Sequence, residues 1–454
     1  MGQRTGEAMG HRDEGADDAV FRKVSRRLNW FLFLLLAVNF LDRTNIGFAA
    51  LTMNKALALN ATTFGFAISA FSLAYVVCEI PSNLALKRFG ARVWITRIMV
   101  TWGLAAAACA FATGATGLIV LRMAVGVAEA GFVPGVVLYL TYWYPQFHRA
   151  RAQANFMIAQ PIAVAGGSII SGLILGLDGA FGVAGWRWLF LLEGVPAIIL
   201  GVVVYFYLTD RPADSAWLAP GERARVVAAV RADAEAREAV GGLSGPVWRM
   251  CVSRNMLLIS FAYMTLLANY SAAAYWLPQI VRGMTAPGTP YWMTGLISAI
   301  PPLATACVLP LWSARSDKAR ERYWHSIIPM VIGAGGWIGS GMVASAPLQM
   351  LGLTVGGVFS TAVWSLFFAM PSAVLPRQAH AVGIAFMNTI GMCGTALSPL
   401  IIGFLRDHTG GFSAPMIFVG CLLLAGAAVM LLVPRRLLVG DGASAPGSVK
   451  LTAR

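Results

Sequence analysis

An aspartate and an arginine, Asp42-Arg43, interrupt a run of apolar residues that extends from about Trp30 to Leu51. Deep in a bilayer each such charge costs roughly 2.5–3.5 kcal/mol on insertion scales, so the two must face a bundle interior or a wet cavity. On one helix Asn39, Asp42, Arg43 and Asn45 fall close to i, i+3, i+4 spacing and form a polar patch. A second apolar run, 118–141, carries Arg122 and Glu129. Seven residues of helix place these on one face, two turns and about 10 Å apart. Guanidinium groups grip a carboxylate through paired hydrogen bonds, and a carboxyl group taken out of water can pick up a proton at ordinary pH. The set Asp42, Arg43, Arg122 and Glu129 therefore offers anion binding and proton coupling in one place.

The elements that must position these groups are membrane helices. Of the 454 residues, 58% are hydrophobic and only 12% charged, where soluble domains carry about 25% charge. A spanning helix needs about 20 apolar residues, and twelve segments qualify: 30–51, 63–86, 97–114, 118–141, 152–177, 188–208, 255–281, 291–314, 326–346, 348–374, 382–405 and 413–434. The first is too long for a cleaved signal peptide and carries charge at its centre. The net charge of +14 reflects orientation and not nucleic-acid binding. With the hydrophilic segments numbered alternately, 28 of the 34 Lys and Arg residues fall on the side of the N-terminal tail, which makes both termini cytoplasmic.

The expected fold is an all-α membrane protein of twelve transmembrane helices in two six-helix bundles. The divisions are a cytoplasmic tail 1–29, a first bundle 30–208, a central cytoplasmic segment 209–254, a second bundle 255–434 and a tail 435–454. Mixed-sign charge on an Ala-rich background within the central segment predicts a short helix on the cytoplasmic face. Basic loops recur after the second and eighth spans, around Lys87-Arg88 and around Asp317, which suggests a repeat with its site at the midplane. Gly126, Gly131, Pro134 and Gly135 in the fourth span, and Pro301-Pro302 in the eighth, read as close helix packing.

Further polar side chains lie at membrane depth. Tyr75 could hydrogen-bond a substrate oxygen, and Gln160 precedes Pro161 in apolar surroundings. Ser360, Thr361, Trp364 and Ser365 cluster in the tenth span, and Asn388, Gly391, Thr395 and Ser398 share a face of the eleventh; both stripes also suit helix–helix contact. Trp102, Trp143 and Trp312 are expected at the interfaces, Arg122 is close enough to a span end to snorkel, and Glu79 and Glu193 are assigned structural or gating roles. The six cysteines are scattered singly and the histidines lie in tails or at helix ends, so neither a metal site nor another cofactor is expected. No GxxxxGK[ST], HExxH or credible GxSxG motif occurs, which argues against an enzyme or an ATP-driven pump.

The segments Asn39-Phe-Leu-Asp-Arg-Thr-Asn-Ile-Gly-Phe-Ala49, Phe71-Ser-Leu-Ala-Tyr-Val-Val-Cys-Glu-Ile-Pro-Ser-Asn83, Leu121-Arg-Met-Ala-Val-Gly-Val-Ala-Glu-Ala-Gly-Phe-Val-Pro-Gly135, Gly185-Trp-Arg-Trp-Leu-Phe-Leu-Leu-Glu-Gly-Val-Pro196 and Asp210-Arg-Pro212 resemble the anion:cation symporter family of the major facilitator superfamily. The resemblance runs from about residue 28 to 434. That family includes bacterial permeases for sugar acids, tartrate and aromatic acids. It implies substrate contacts at Arg43, Tyr75, Gln160, Thr361, Trp364 and Asn388, with Arg122 organising the anion site and Asp42 and Glu129 as protonatable groups. It also implies gating at Lys87, Arg88 and Asp317, where Lys87 replaces a common Asp and Arg320 a common Gly. The expected function is proton-coupled symport of an organic carboxylate, driven by the proton gradient, by a monomer in the inner membrane of a bacterium. An exporter or antiporter using the same cavity, and a substrate sensor on a transporter fold, are the alternatives.

Overall fold

The computed structural model describes the backbone of residues 2–239, 250–376 and 379–439, with the side chains at 2–17, 147, 149–159, 236–239 and 381 excepted. Arg377, residues 240–249 of the central segment and the tail beyond 439 lie outside the described residues. Twelve helical spans follow one another as expected. Ten helices are long and apolar enough to cross a membrane; the fifth, Gln146–Leu175, and the ninth, Tyr323–Met342, complete the set.

The first helix runs without a break from Gly2 to Ala56, so the residues ahead of Trp30 continue the first span. The second is Ala61–Phe89, the third Ala91–Ala108, the sixth Gly185–Tyr207 and the seventh Arg254–Met284. The eleventh, His380–Thr409, and the twelfth, Ser413–Leu431, close the chain's helical part. Three spans are interrupted. The fourth consists of Gly114–Glu129 and Phe132–Trp143, with Gly131 at φ +84° between them, a backbone conformation that glycine adopts without strain. The eighth breaks at Ala299 between Tyr291–Ser298 and Ile300–Ala319, immediately before the Pro301-Pro302 pair. The tenth breaks at Val363 between Ala346–Ala362 and Trp364–Ala369. Interrupted helices at membrane depth are tolerated where they are covered by protein or line a cavity, and here the breaks adjoin Glu129, Ser298 and the Thr361–Trp364 stretch.

Within the first six spans the first packs on the fifth, the second on the fourth and the third on the sixth; within the second six the seventh packs on the eleventh and the ninth on the tenth and twelfth. The two bundles meet where the second crosses the eleventh, the fifth crosses the eighth and the first crosses the seventh. The central segment does contain a helix, Pro220–Ala239. It is fastened to the first bundle: Lys23 Nζ donates to Glu222 Oε2 at 2.6 Å, Trp217 stacks on Trp143, and the Gln146 amide donates to Asp233.

The crossings between bundles are concentrated on the face opposite the N-terminal tail. A Cβ on Gly65, near the start of the second span, would lie 2.2 Å from the Pro399 carbonyl oxygen of the eleventh, so only glycine permits this approach. Beside it Asp407, from the end of the eleventh helix, caps the second: its carboxylate accepts from the Ala61 amide at 3.0 Å, the Thr62 amide at 2.7 Å and the Thr62 hydroxyl at 2.6 Å. On the tail side, no hydrogen bond or ion pair joins the bundles among the described residues. Lys87 and Arg88 are exposed, and Asp317 reaches only Arg322 of its own bundle at 3.8 Å. Among the described residues, the hydrogen bonds that join the two bundles therefore lie on the far face.

Because the Asp407 cap crosses the interface, Asp407→Ala should weaken the far-side closure by about 1 kcal/mol, the usual value of such a cap. Spin labels at the exposed positions Lys55 and His408 should then show a larger long-distance population; an unchanged distance distribution would mean that packing at Gly65 suffices.

Candidate anion-binding site between the bundles

Asp42 and Arg43 are neighbours in sequence, but helical rotation sends them to different partners. Arg43 donates through Nε to Glu129 Oε1 of the fourth span at 2.7 Å, and Asn39 Nδ2 donates to the same oxygen at 2.8 Å. Glu129 is the last residue before the break in its helix and is wholly buried. Asp42 accepts from Trp102 Nε1 of the third span at 2.8 Å and from Asn45 Nδ2 at 3.1 Å. The two carboxylates are therefore held by separate donor sets, and the Asp–Arg pair does not link to itself.

Trp102 corrects an expectation. It is completely buried at the heart of the first bundle and is not an interfacial anchor. The third helix starts at Ala91, earlier than hydropathy placed it, so residue 102 falls well inside the membrane. Trp143 is buried as well, under the stacked ring of Trp217. Trp312 is partly buried and donates to the His325 carbonyl. Arg122 does not snorkel: it is 1% exposed, its guanidinium lies 4.6 Å from the centre of the Phe71 ring, and it sits within electrostatic reach of Asp42. Its Nε and Nη2 have no hydrogen-bond partner.

Arg43 differs from Arg122 in standing at an edge. Its side chain keeps 13% exposure, and its guanidinium carbon lies 4.9 Å from the Tyr75 ring centre and 5.7 Å from that of Phe71. With Nε committed to Glu129, the terminal nitrogens lie toward the Tyr75 hydroxyl, where a further acceptor can reach them. Tyr270 and Tyr275 of the seventh span approach the same guanidinium from the second bundle. Neither tyrosine stood out in the sequence; the polar triplet Asn269-Tyr270-Ser271 within an apolar helix was the available signal.

A recess between the bundles is bounded by the first, fifth, seventh, eighth and tenth spans; Arg43 is not part of its lining, but Tyr270, which is, lies within electrostatic reach of the Arg43 guanidinium. Gln160, Thr361, Tyr270, Ser298 and Thr305 supply its polar wall and Pro161, Pro301 and Pro302 much of the rest. The Ser298 hydroxyl is buried without a hydrogen-bond partner, and the Tyr270 hydroxyl lies beside the Gln160 side chain. Gln160 and Thr361 are thus brought together as the sequence suggested. Trp364 is close by, stacked near Tyr270 at 5.3 Å, but its indole N–H is already spent on the Tyr263 hydroxyl at 2.7 Å. Asn388 is half-buried on the eleventh helix. Its stripe mates are packing contacts: Ser398 donates to the Ala268 carbonyl and the Thr395 carbonyl accepts from Ser271, both on the seventh helix. Ser360 likewise donates to Asn269. Of the gating residues, Lys87 and Arg88 are exposed, and Asp317 pairs with Arg322 of its own bundle at 3.8 Å.

Glu79 is partly buried and lies within electrostatic reach of Arg43. Glu193, in contrast, is 2% exposed, with Oε1 accepting from the Ser171 hydroxyl at 2.7 Å. It belongs to the bundle interior, away from any helix-end gate.

Twelve helices in two bundles, joined around a recess, define a membrane transport protein and not an enzyme. The chain belongs to the Major Facilitator Superfamily, whose family model matches residues 32–353 and 293–451. It is 38% identical over 427 residues to an Agrobacterium vitis protein provisionally named a tartrate transporter, covering 94% of this chain and 97% of that one. It is 36% identical to a Pseudomonas putida protein provisionally named metabolite transport protein NicT, covering 90% and 93%. Among solved structures, an inward-facing, unoccupied bacterial homologue of the human lysosomal transporter Spinster superposes with a TM-score of 0.72 at 16% identity, over 92% of this chain and 98% of that one. That likeness concerns the fold.

Arg43→Lys keeps the charge but loses the planar fork that reaches Glu129 and a further acceptor together. Transport should fall at least about tenfold at equal protein level, measured as initial uptake into proteoliposomes. Uptake at the wild-type rate would show that a point charge suffices there.

Proposed function

We propose that this protein carries an organic carboxylate into the cytoplasm together with protons. The observation that carries the reading is the buried Arg43–Glu129 pair, whose guanidinium is within electrostatic reach of Tyr270 in the wall of the recess. While Glu129 is ionised it occupies one side of the guanidinium; once protonated it gives up the ion pair, and a substrate carboxylate takes its place on Arg43. Proton uptake and anion binding are then one exchange of partners. Asp42, buried near Arg122, is the second protonatable group. The substrate's carboxylate lies against Arg43 and Tyr75, and its remaining polar groups face Gln160, Thr361, Tyr270 and Ser298. Trp364 and Asn388 border the same space.

With charge neutralised by this exchange, the bundles 30–208 and 255–434 rock about the bound acid. Closure on the tail side brings Lys87 and Arg88 toward the loop containing Asp317, and the Asp407 cap opens on the far side. The proton gradient drives the cycle without a cofactor, and a monomer in the inner membrane of a bacterium suffices. The hydroxyls of Tyr270, Ser298 and Thr361 in an otherwise largely apolar recess, together with the name of the Agrobacterium vitis relative, support a hydroxylated acid, either a sugar acid or a tartrate-like diacid.

In lightly buffered proteoliposomes, external addition of such an acid should raise external pH. Glu129→Gln, which fixes the neutral form, should permit exchange but no uphill accumulation. Acidification on adding the acid would instead indicate antiport, and intact accumulation by the mutant would remove Glu129 from the coupling.

A further inference from the structure

Among the described residues, the wholly buried charged side chains are Asp42, Arg122, Glu129 and Glu193. With Arg43, this cluster contains three carboxyl groups and two guanidinium groups. Glu129 has Arg43, and Asp42 has Arg122 within electrostatic reach. Glu193 has no cation.

The surroundings of Glu193 are explicit. From the fifth span the Ser171 hydroxyl donates to Oε1 at 2.7 Å. From the first span Asn45 faces it, and Asp42 is the charged group within electrostatic reach. The third span, packed along the sixth, presents Trp102 to Asp42. Two acceptors here are buried without a partner: Glu193 Oε2 and Asn45 Oδ1. An ionised carboxylate would leave both unsatisfied, beside a second carboxylate and in the membrane interior. A single proton on Oε2 changes the balance, because it turns one orphan acceptor into a donor, and the Asn45 amide within hydrogen-bonding reach of this carboxyl carries the other orphan acceptor, Oδ1. Buried polar groups of this kind are normally satisfied, and an unpaired one costs more than a made bond gains.

We propose that Glu193 is a resident neutral carboxyl of the transport machinery, and that its O–H holds Asn45 oriented so that the Asn45 amide donates to Asp42. Glu193 is a positioning residue: it touches neither the recess nor the substrate and acts through Asn45 on the protonation of Asp42. Its proton stays in place through the cycle. That Asp42 is a protonatable group of the cycle rests on the function proposed above; the protonated state of Glu193 does not.

Two readouts separate these. Infrared absorption of the purified full-length protein in lipid, taken as the wild-type-minus-variant difference, should show a protonated-carboxyl carbonyl band at neutral pH that shifts in heavy water. The band should vanish in Glu193→Gln and survive in Asp42→Asn and Glu129→Gln. Ser171→Ala, which removes the donor to Oε1, should move it to higher frequency without abolishing it. A band unchanged in Glu193→Gln, or absent from the wild type, overturns the proposal irrespective of any transport result. In uptake assays Glu193→Gln, whose amide reproduces the neutral donor and acceptor, should retain transport within about threefold and an unchanged pH profile. Glu193→Ala should lower transport about tenfold or more and displace the pH profile, because Asn45 and Asp42 lose their arrangement. A glutamine variant that loses a proton-dependent limb of the profile would mean that Glu193 exchanges its proton, and the resident assignment would fail.

Discussion

The cost of holding charge inside a membrane organises this protein. Arg43 can stand at membrane depth only because Glu129, 86 residues along the chain on the fourth span, meets its Nε, with Asn39 sharing the same carboxylate oxygen. Removing one member of such a buried pair leaves the other uncompensated and costs several kcal/mol. The first and fourth helices are therefore tied at one depth, and the break after Glu129 places the carboxylate where the helix is interrupted. The same constraint explains why Asp42 is wrapped by an indole and an amide, and why Arg122 lies over the Phe71 ring.

A division of labour follows between the bundles. Every wholly buried charge among the described residues is in the first. The second contributes uncharged hydroxyls and rings, with Tyr270, Tyr275 and Thr361 approaching the site from across the interface. A rigid charged half and a polar, uncharged half can separate and rejoin without breaking an ion pair between them. The attachment that does cross the interface, the Asp407 cap with the Gly65 approach, is far from the recess and on the face opposite the tail. Closure there is cooperative packing plus three hydrogen bonds, a modest energy suited to a state that must also open.

Much of the site was legible from charge at membrane depth. Asp42, Arg43, Arg122 and Glu129 were identifiable because an apolar span tolerates so few ionisable groups that each one needs a reason. Partnership was not legible. Adjacent residues on a helix point about 100° apart, so Asp42 and Arg43 diverge to the third and fourth spans. Trp102 was misplaced for a related reason: hydropathy locates a span to within a turn or two, and one turn decides whether a side chain is at the surface or at the centre. The hydroxyl wall was missed because Tyr270 and Ser298 are ordinary residues in apolar helices until the fold gathers them.

By itself the sequence determined twelve spans, their orientation and the presence of buried charge, because insertion free energy is a property of composition along each segment and of the Lys and Arg count beside it. Only the tertiary structure decided which carboxylate answers which guanidinium, which face carries the hydrogen bonds between the bundles, and that Glu193 shares the interior with Asp42. Those outcomes depend on the rotation of each helix about its axis and on neighbours 86 to 90 residues distant along the chain, as in the Arg43–Glu129 and Asn39–Glu129 bonds. Local composition carries no record of either.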